Sequence, residues 1–350
     1  MKQAPLITTI ITTYRRPFLL ERAIKSVLAQ SYPHFRLIIC DNASGDETEN
    51  IIRNFTIQDP RIVYHKHPQN IGMMDNYVYG LECVETKYCS FLSDDDVILP
   101  EFYQEALEQF KKYPQAAFFA GSTIVATGAG RVLSASLEAY PKNGLYKQSE
   151  ALFCMTKNYP ILNTILLRTD CIAQVGSIDK QAAIVWDLDL LIRLAIEYPV
   201  IFYKQPLGVF LSHESSYSSV AGICEWRLGW GQAMNNLRNG DSSNKKIQKL
   251  GLRLMEKNLK RFIFTSGVHF LFTRRFKEAQ ITSKMLVWED VCPFKGGMLL
   301  LAALVCKYIP FGYKGLIFMQ KIKKNTLQDR KNTLQDRYGI YAKKLMIGTL

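Results

Sequence analysis

The feature that most constrains this chain is the β-branched run from Leu6 to Thr13, which stops abruptly at Tyr14-Arg15-Arg16-Pro17. A short, unbroken apolar run bounded by a turn is the pattern of a strand buried on both faces. Leu20, Ala23, Ile24, Val27 and Leu28 then recur at helical spacing, which predicts an amphipathic helix up to Gln30. The alternation continues. Arg36 to Cys40 reads as a second strand ending in the polar loop Asp41 to Asp46, followed by a helix from about Thr48 to Phe55. A strand around Arg61 to His65, a helix around Asn76 to Val84, and a strand from Tyr88 to Leu92 that runs straight into Asp94-Asp95-Asp96 come next. Strands alternating with helices predict an α/β fold, a mostly parallel central sheet of abutting βαβ units flanked by helices. Ligands of such sheets sit beyond the carboxyl ends of the strands. The polar clusters Thr12–Arg15, Asp41–Ser44 and Asp94–Asp96 all fall there and are expected to converge.

From about Trp230 the texture changes to long basic amphipathic helices, such as Ile247 to Thr265 and Phe276 to Trp288. The charge changes with it. Residues 1–220 carry 20 Lys and Arg against 23 Asp and Glu, a net of −3, whereas residues 221–350 carry 24 against 8, a net of +16. Two domains are therefore expected, an α/β domain over 1–220 and a basic helical C-terminal tail over 221–350. A solvated helical surface and a face for an anionic partner are both open readings of the tail. Its aromatics, Phe262, Phe264, Phe270 and Phe272, alternate with aliphatics as in a core or lipid face, so an anionic membrane surface is the expected partner and nucleic acid is not. Met298 to Val305 is cut short by Lys307 and Pro310, and even with Leu316 to Met319 it is too interrupted for the roughly 20 apolar residues of a membrane span. Residues 324–330, KNTLQDR, are repeated as 331–337, and no chemistry is assigned to them. Eight scattered cysteines without a C-x-x-C pair suit buried thiols in a reducing compartment. The first residues lack the pattern of a signal peptide. A cytoplasmic protein, peripheral on the inner face of the plasma membrane, is the expectation.

Three adjacent carboxylates, Asp94, Asp95 and Asp96, repel one another, and burial would raise their pKa values. A divalent cation held by oxygen ligands resolves this, as does the first turn of a helix opening near Leu99-Pro100-Glu101. Dehydrogenases of the doubly wound type and P-loop enzymes neutralise phosphate with glycine-rich backbone. Here the first turn, Thr13 to Pro17, has no glycine, so phosphate must be met another way. A second acidic cluster, Trp186-Asp187-Leu188-Asp189-Leu190-Leu191-Ile192-Arg193, opens an apolar helical pattern. Arg193 can pair with Asp189 one turn away, leaving Asp187 either as a helix cap or as a general base toward a hydroxyl.

The ordered series Thr12-Thr13-Tyr14-Arg15-Arg16, Asp41-Asn42-Ala43-Ser44, Asn70-Ile71-Gly72, Ser93-Asp94-Asp95-Asp96 and Trp186 to Arg193 resembles the family 2 glycosyltransferases of the GT-A fold, of the bacterial surface-polysaccharide type. The resemblance covers roughly residues 6–220. It implies an inverting transfer of a sugar from a nucleoside diphosphate sugar to the hydroxyl of a saccharide or lipid-linked saccharide, with Mn²⁺ or Mg²⁺ as cofactor. It further implies that Thr12, Tyr14, Arg15, Asp41, Asn70, Asn76 and Asp94 bind the donor nucleotide, that Asp95, Asp96 and His213 serve the metal, and that Asp187 is the base. The segment Asn163 to Arg168 resembles the strand that precedes the acceptor site. The chain departs from the family pattern where Ser93 and Trp186 replace acidic residues, and at Met74-Asp75-Asn76, where a basic residue often precedes the asparagine. A non-catalytic sugar-nucleotide or glycan binding module and a nucleotidyltransferase are the rival readings. The latter is expected to carry a glycine-rich N-terminal loop, which this chain lacks.

Overall fold

The computed structural model describes residues 4–213, 216–288, 293–308 and 333–342. The first half alternates as the sequence predicts: β1 (Ile7–Thr13), α1 (Pro17–Leu28), β2 (Phe35–Asp41), α2 (Thr48–Gln58), β3 (Ile62–Lys66), α3 (Met73–Glu82), β4 (Tyr88–Ser93), β5 (Val97–Ile98) and α4 (Phe102–Lys112). There follow β6 (Phe118–Thr127), β7 (Val132–Ala135), β8 (Gly144–Tyr146), α5 (Gln148–Met155), β9 (Ile165–Arg168), α6 (Thr169–Val175), α7 (Trp186–Glu197) and β10 (Val200–Ser212). The helical region comprises α8 (Tyr217–Val220), α9 (Ile223–Asn239), α10 (Lys245–Phe272), α11 (Phe276–Trp288) and α12 (Pro293–Tyr308), and residues 333–342 are also helical.

One sheet runs in the order β3-β2-β1-β4-β9-β6-β10-β5, with β7 added on β6 and β8 on β10. The longer strands β1, β2, β3, β4, β6 and β10 share one direction, so the sheet is mostly parallel. The four short strands oppose them, and β9 inserts antiparallel between β4 and β6, with Leu167 opposite both Cys89 and Phe118. Strand periodicity then divides the core in two. Ile10, Ile38, Cys40 and Phe91 face one cluster with Tyr77 of α3, Leu188 and Leu191 of α7 and Trp230 of α9. Ile7, Ile11, Leu37, Ile39 and Leu92 face the other, against Leu20, Ile24 and Val27 of α1 and Phe102, Tyr103 and Phe110 of α4. Gly80 lets α3 lie directly on β1, since a Cβ there would stand 2.5 Å from the Ile10 Cγ2 methyl.

Residue 220, the expected boundary, precedes α9, and α9 packs into the main core. Trp230, Ala233, Met234 and Leu237 are buried in the same cluster as α7, together with Met255 of α10. A polar network fastens this contact. Asp179 accepts from Gln232 and Asn236 (both 2.8 Å), Asn236 also donates to Asp189 (3.1 Å), and Arg193 binds the other Asp189 oxygen (2.8 Å). The far half of α10 forms a separate apolar cluster with α11 and α12 around Ile263, Leu271, Leu286 and Leu299. The first copy of the repeated heptapeptide and Leu316 to Met319 lie outside the described residues. From the second copy, Leu334 packs beside Ile124 and Val132, and Gln335 accepts the Val132 N–H (2.7 Å).

Candidate active site

A cleft of ≈ 840 Å³ opens at the carboxyl ends of β1 and β4. Thr12, Tyr14, Asn70, Asn76, Asp94, Asp95, Asp96 and Asp187 all line it, so residues spread over the first 187 positions meet in one place. Arg15, Asp41 and His213 are not part of its lining.

The wall at β1 is set by backbone geometry. Arg15 has φ 55, a left-handed conformation that turns consecutive side chains apart. Its own N–H and guanidinium bind Ser44 (2.9 and 3.0 Å), whereas Arg16 reaches across to Asp94 (3.2 Å) and Asp95 (2.8 Å). Asp41 is only 1 % exposed. One of its oxygens accepts from the Ser44 N–H (3.0 Å) and hydroxyl (2.6 Å), the other from the Tyr64 hydroxyl (2.9 Å), so it organises the loop behind the wall. Asn42 and Asn70 clasp each other at 3.0 Å, and Asn70 also accepts the Gly72 N–H. Gly72 has φ 88 and ψ 159, a region essentially reserved for glycine, which explains why a glycine closes this motif. Asn76 is buried between the Cys40 carbonyl (2.9 Å) and His67 (3.0 Å), presenting little to a ligand beyond the edge it contributes to the cleft.

The three carboxylates occupy a tight turn between β4 and β5, closed by the Asp96 N–H on the Ser93 carbonyl (3.1 Å). The following helix begins only at Phe102, after β5, so these carboxylates do not cap it. Each has a different environment. Asp94 accepts from the Thr13 hydroxyl (2.8 Å) and Arg16, and burial, aided by Asp95, pushes its carboxyl up to about 6. Asp96 turns inward to the Leu211 N–H (2.9 Å), and burial holds it well above the usual carboxylate range. Asp95 binds both Arg16 and the His213 ring nitrogen (3.0 Å). That contact is a hydrogen bond, and it sets a carboxylate and an imidazole side by side at the edge of the turn. Among the described residues, no three His, Cys, Asp or Glu side chains converge as a cage. A carboxylate with substrate phosphates is nevertheless an oxygen set that suits Mg²⁺ or Mn²⁺, and an added imidazole fits the softer Mn²⁺ better than Mg²⁺.

Asp187 opens α7 on another wall. Its Oδ1 accepts the Leu188 N–H (2.8 Å), and desolvation pushes its carboxyl up to about 6. Trp186 is wedged against Tyr77 (4.8 Å) and Phe91 (5.1 Å), which pins the start of the helix to the sheet. Just before it, Ala183 has φ 44 and ψ −115, an uncommon conformation for a side-chain-bearing residue, stored next to the carboxylate. The remaining wall is largely aromatic: Tyr159, Phe210, Tyr217 and Trp226, with Ser134 and Ser136 of the β6–β7 hairpin.

Residues 8–162 match the model of glycosyl transferase family 2. That segment, a little under half of the chain, is the part that is similar to the family. Relatives agree: the chain is 35% identical over 97 residues to the Campylobacter jejuni GalNAc(5)-diNAcBac-PP-undecaprenol beta-1,3-glucosyltransferase, which is 27% of this chain and 31% of that protein. It is 29% identical over 202 residues, 57% of this chain and 69% of the relative, to the putative colanic acid biosynthesis glycosyl transferase WcaA of Escherichia coli. The chain thus spans less than a third of the Campylobacter relative. The fold resembles S. aureus TarS 1-349 in complex with UDP-GlcNAc, at a TM-score of 0.59 and 13% identity over 89% of this chain and 88% of the other. It also resembles the Pyrobaculum calidifontis mannosyltransferase PcManGT with GDP-Man and Mn²⁺, at a TM-score of 0.53 and 14% identity over 91% and 85%. Asp187 and Trp226 lie beyond the matched family 2 segment. Arg16 stood in plain view within the sequence motif, but only the turn at Arg15 decides which arginine faces the carboxylates. Trp226 had no signal at all, since an aromatic in a helical stretch is ordinarily core.

Proposed function

We propose that this protein is a metal-dependent, inverting glycosyltransferase that moves one sugar from a nucleoside diphosphate sugar to an acceptor hydroxyl in cell-surface polysaccharide synthesis. The observation that carries the reading is the pairing, in one cleft, of a cationic–acidic turn at Arg16, Asp94 and Asp95 with a lone carboxyl, Asp187, held near 6. A base whose pKa lies just below neutrality is ionised at working pH yet still basic enough to take a hydroxyl proton. Thr12, Tyr14 and Asn70 would seat the nucleotide against the β1 wall, with Arg15, Asp41 and Asn76 holding that wall in place. Asp95 and His213 would hold the cation, with Asp94 and Asp96 beside them. A bound Mn²⁺ or Mg²⁺ neutralises the diphosphate and the charge that develops on it as it leaves. Asp187 would accept the proton of the hydroxyl as it attacks the anomeric carbon from the face opposite the diphosphate, which inverts that centre. The nucleotide sugars in the names of the structural neighbours and the undecaprenol-linked acceptor in the Campylobacter relative's name support these substrate classes. A panel of UDP-, GDP- and dTDP-sugars, screened with Mn²⁺ by thermal shift and then for release of nucleotide, tests the reading. One donor is expected to raise the melting temperature and to turn over. Stabilisation without any turnover, with or without saccharide acceptors, would mark a binding module instead.

We further place this activity at the inner face of an anionic membrane. None of the helices among the described residues is long and apolar enough to cross a bilayer. On α12, however, Met298, Leu301 and Leu304 leave an apolar stripe exposed at 59%, 64% and 39%, within a region of net charge +16. Apolar groups on a basic helical surface lie in the interface plane, and each Lys or Arg near an anionic leaflet adds about 1 kcal/mol. Full-length protein is expected to float with phosphatidylglycerol-containing liposomes at low salt and to be released as salt screens the charges. Protein that stays in the bottom fraction at low salt overturns this placement.

A further inference from the structure

A second cavity, of ≈ 320 Å³, runs between α9 and α10. One helix contributes Arg227, Gly231, Met234 and Arg238, a single face of α9; the other contributes a matching face of α10 that includes Leu259, Lys260 and Ile263. Its floor is apolar, with Met234 and Ile263 buried at 7% and 0% exposure. Among the described residues its rim carries Arg227, Arg238 and Lys260 beside Glu256, and Glu256 pairs with Arg238 at 3.2 Å and closes one end. Over Gly231 the groove is empty: a Cβ there would meet no atom within 4 Å. The other end adjoins the catalytic cleft. The Trp226 ring lines that cleft and packs on Phe262 at 5.4 Å, while their sequence neighbours Arg227 and Ile263 line the groove.

From this juxtaposition we infer that the groove between α9 and α10 binds the lipid phosphate or diphosphate that carries the acceptor saccharide. The inference rests on the glycosyltransferase reading and extends it to the acceptor's carrier. An inorganic anion would have no use for the apolar floor, and an uncharged lipid would have none for the cationic rim. A phosphorylated lipid uses both, since its chain buries against Met234, Leu259 and Ile263 while its phosphate meets Arg227 and Lys260. The saccharide attached to that phosphate is then directed past Trp226 toward Asp187, and an aromatic face suits the apolar face of a sugar ring.

The probe is farnesyl diphosphate, titrated into the full-length protein by calorimetry in EDTA, with farnesol and inorganic pyrophosphate as competitors. Farnesyl diphosphate is expected to bind and neither competitor to displace it at equal concentration. The double variant Arg227→Glu/Lys260→Glu is expected to weaken binding about tenfold or more, given the contribution of each basic group. Gly231→Leu, which fills the groove without changing charge, should weaken it as well, while Arg16→Ala, which removes a cation from the other cleft, should not. Melting curves establish that each variant is folded. Three results overturn the inference: no binding by a protein that does bind its nucleotide; loss in Arg16→Ala with retention in the groove variants, which puts the probe in the catalytic cleft; or displacement by pyrophosphate alone, which reduces the groove to a charged patch. None of these touches the donor reading, because nucleotide binding and turnover are measured apart from the probe.

Discussion

Asp187→Asn is expected to lower turnover about 10²–10⁴-fold while leaving donor affinity unchanged, since an amide keeps the shape of the carboxyl but cannot take a proton. The pH profile carries a second readout. Burial raises the Asp187 carboxyl to about 6, so the active, ionised form prevails above that pH and is lost below it. The wild-type kcat should therefore fall on the acid side with an apparent pKa near 6, and the residual rate of Asp187→Asn should lack that limb. Asp94 is also raised to about 6, so kcat must be taken at saturating donor and Mn²⁺, which hold Asp94 ionised. Near-wild-type turnover in the asparagine variant removes Asp187 from the reaction. A slow variant that keeps the acid limb assigns the limb to another group.

Asp95→Ala should weaken Mn²⁺-dependent nucleotide binding roughly 10²–10⁴-fold, the equivalent of the 3–5 kcal/mol typical when one partner of a buried charge pair is removed. Asp95 is the carboxylate shared by Arg16 and His213, so its loss removes the proposed carboxylate ligand of the cation and the shorter of the two carboxylate contacts of Arg16, the one at 2.8 Å. Calorimetry with Mn²⁺ and with EDTA separates the two consequences. The wild type should lose affinity in EDTA, whereas the variant should be weak in both. Equal wild-type affinity in the two buffers would exclude a metal at this turn, and Arg16 would then be the group that meets the diphosphate.

Much of the catalytic half was legible because its signals are local. The run from Leu6 to Thr13 has one physical solution, a strand covered on both sides, and the structure places Ile10 and Ile11 in opposite cores accordingly. The convergence of Thr12, Asp94 and Asp95 follows from parallel strands ending on one edge. What escaped depends on through-space contact. No periodicity announces that β9 enters the sheet backwards between β4 and β6, because four residues are too few to carry a pattern. Charge counting separated residues 221–350 as a tail, yet counting charge says nothing of Trp230, Ala233 and Leu237, which α9 buries in the main core. Asp41 reads as a ligand-facing carboxylate at a strand end, but Ser44 and Tyr64 satisfy it from behind, and the tyrosine lies more than twenty positions away.

If the chain transfers sugar to an acceptor as proposed, the network through Asn236 limits how that acceptor can change. Asn236 donates to Asp179, ahead of α7, and to Asp189, within it. The helix that supplies Trp226 is thereby splinted to the helix that begins with Asp187. A graft that replaced residues 223–239 with the corresponding segment of a relative would leave Asp179 only the Gln181 N–H (2.9 Å) and Asp189 only Arg193 (2.8 Å) unless it brought Gln232 and Asn236 equivalents with it. On the proposed reading, in which Trp226 faces the acceptor, Asp179, Asp189, Gln232 and Asn236 form a linked set with that aromatic's helix, and a loop exchanged alone would break it.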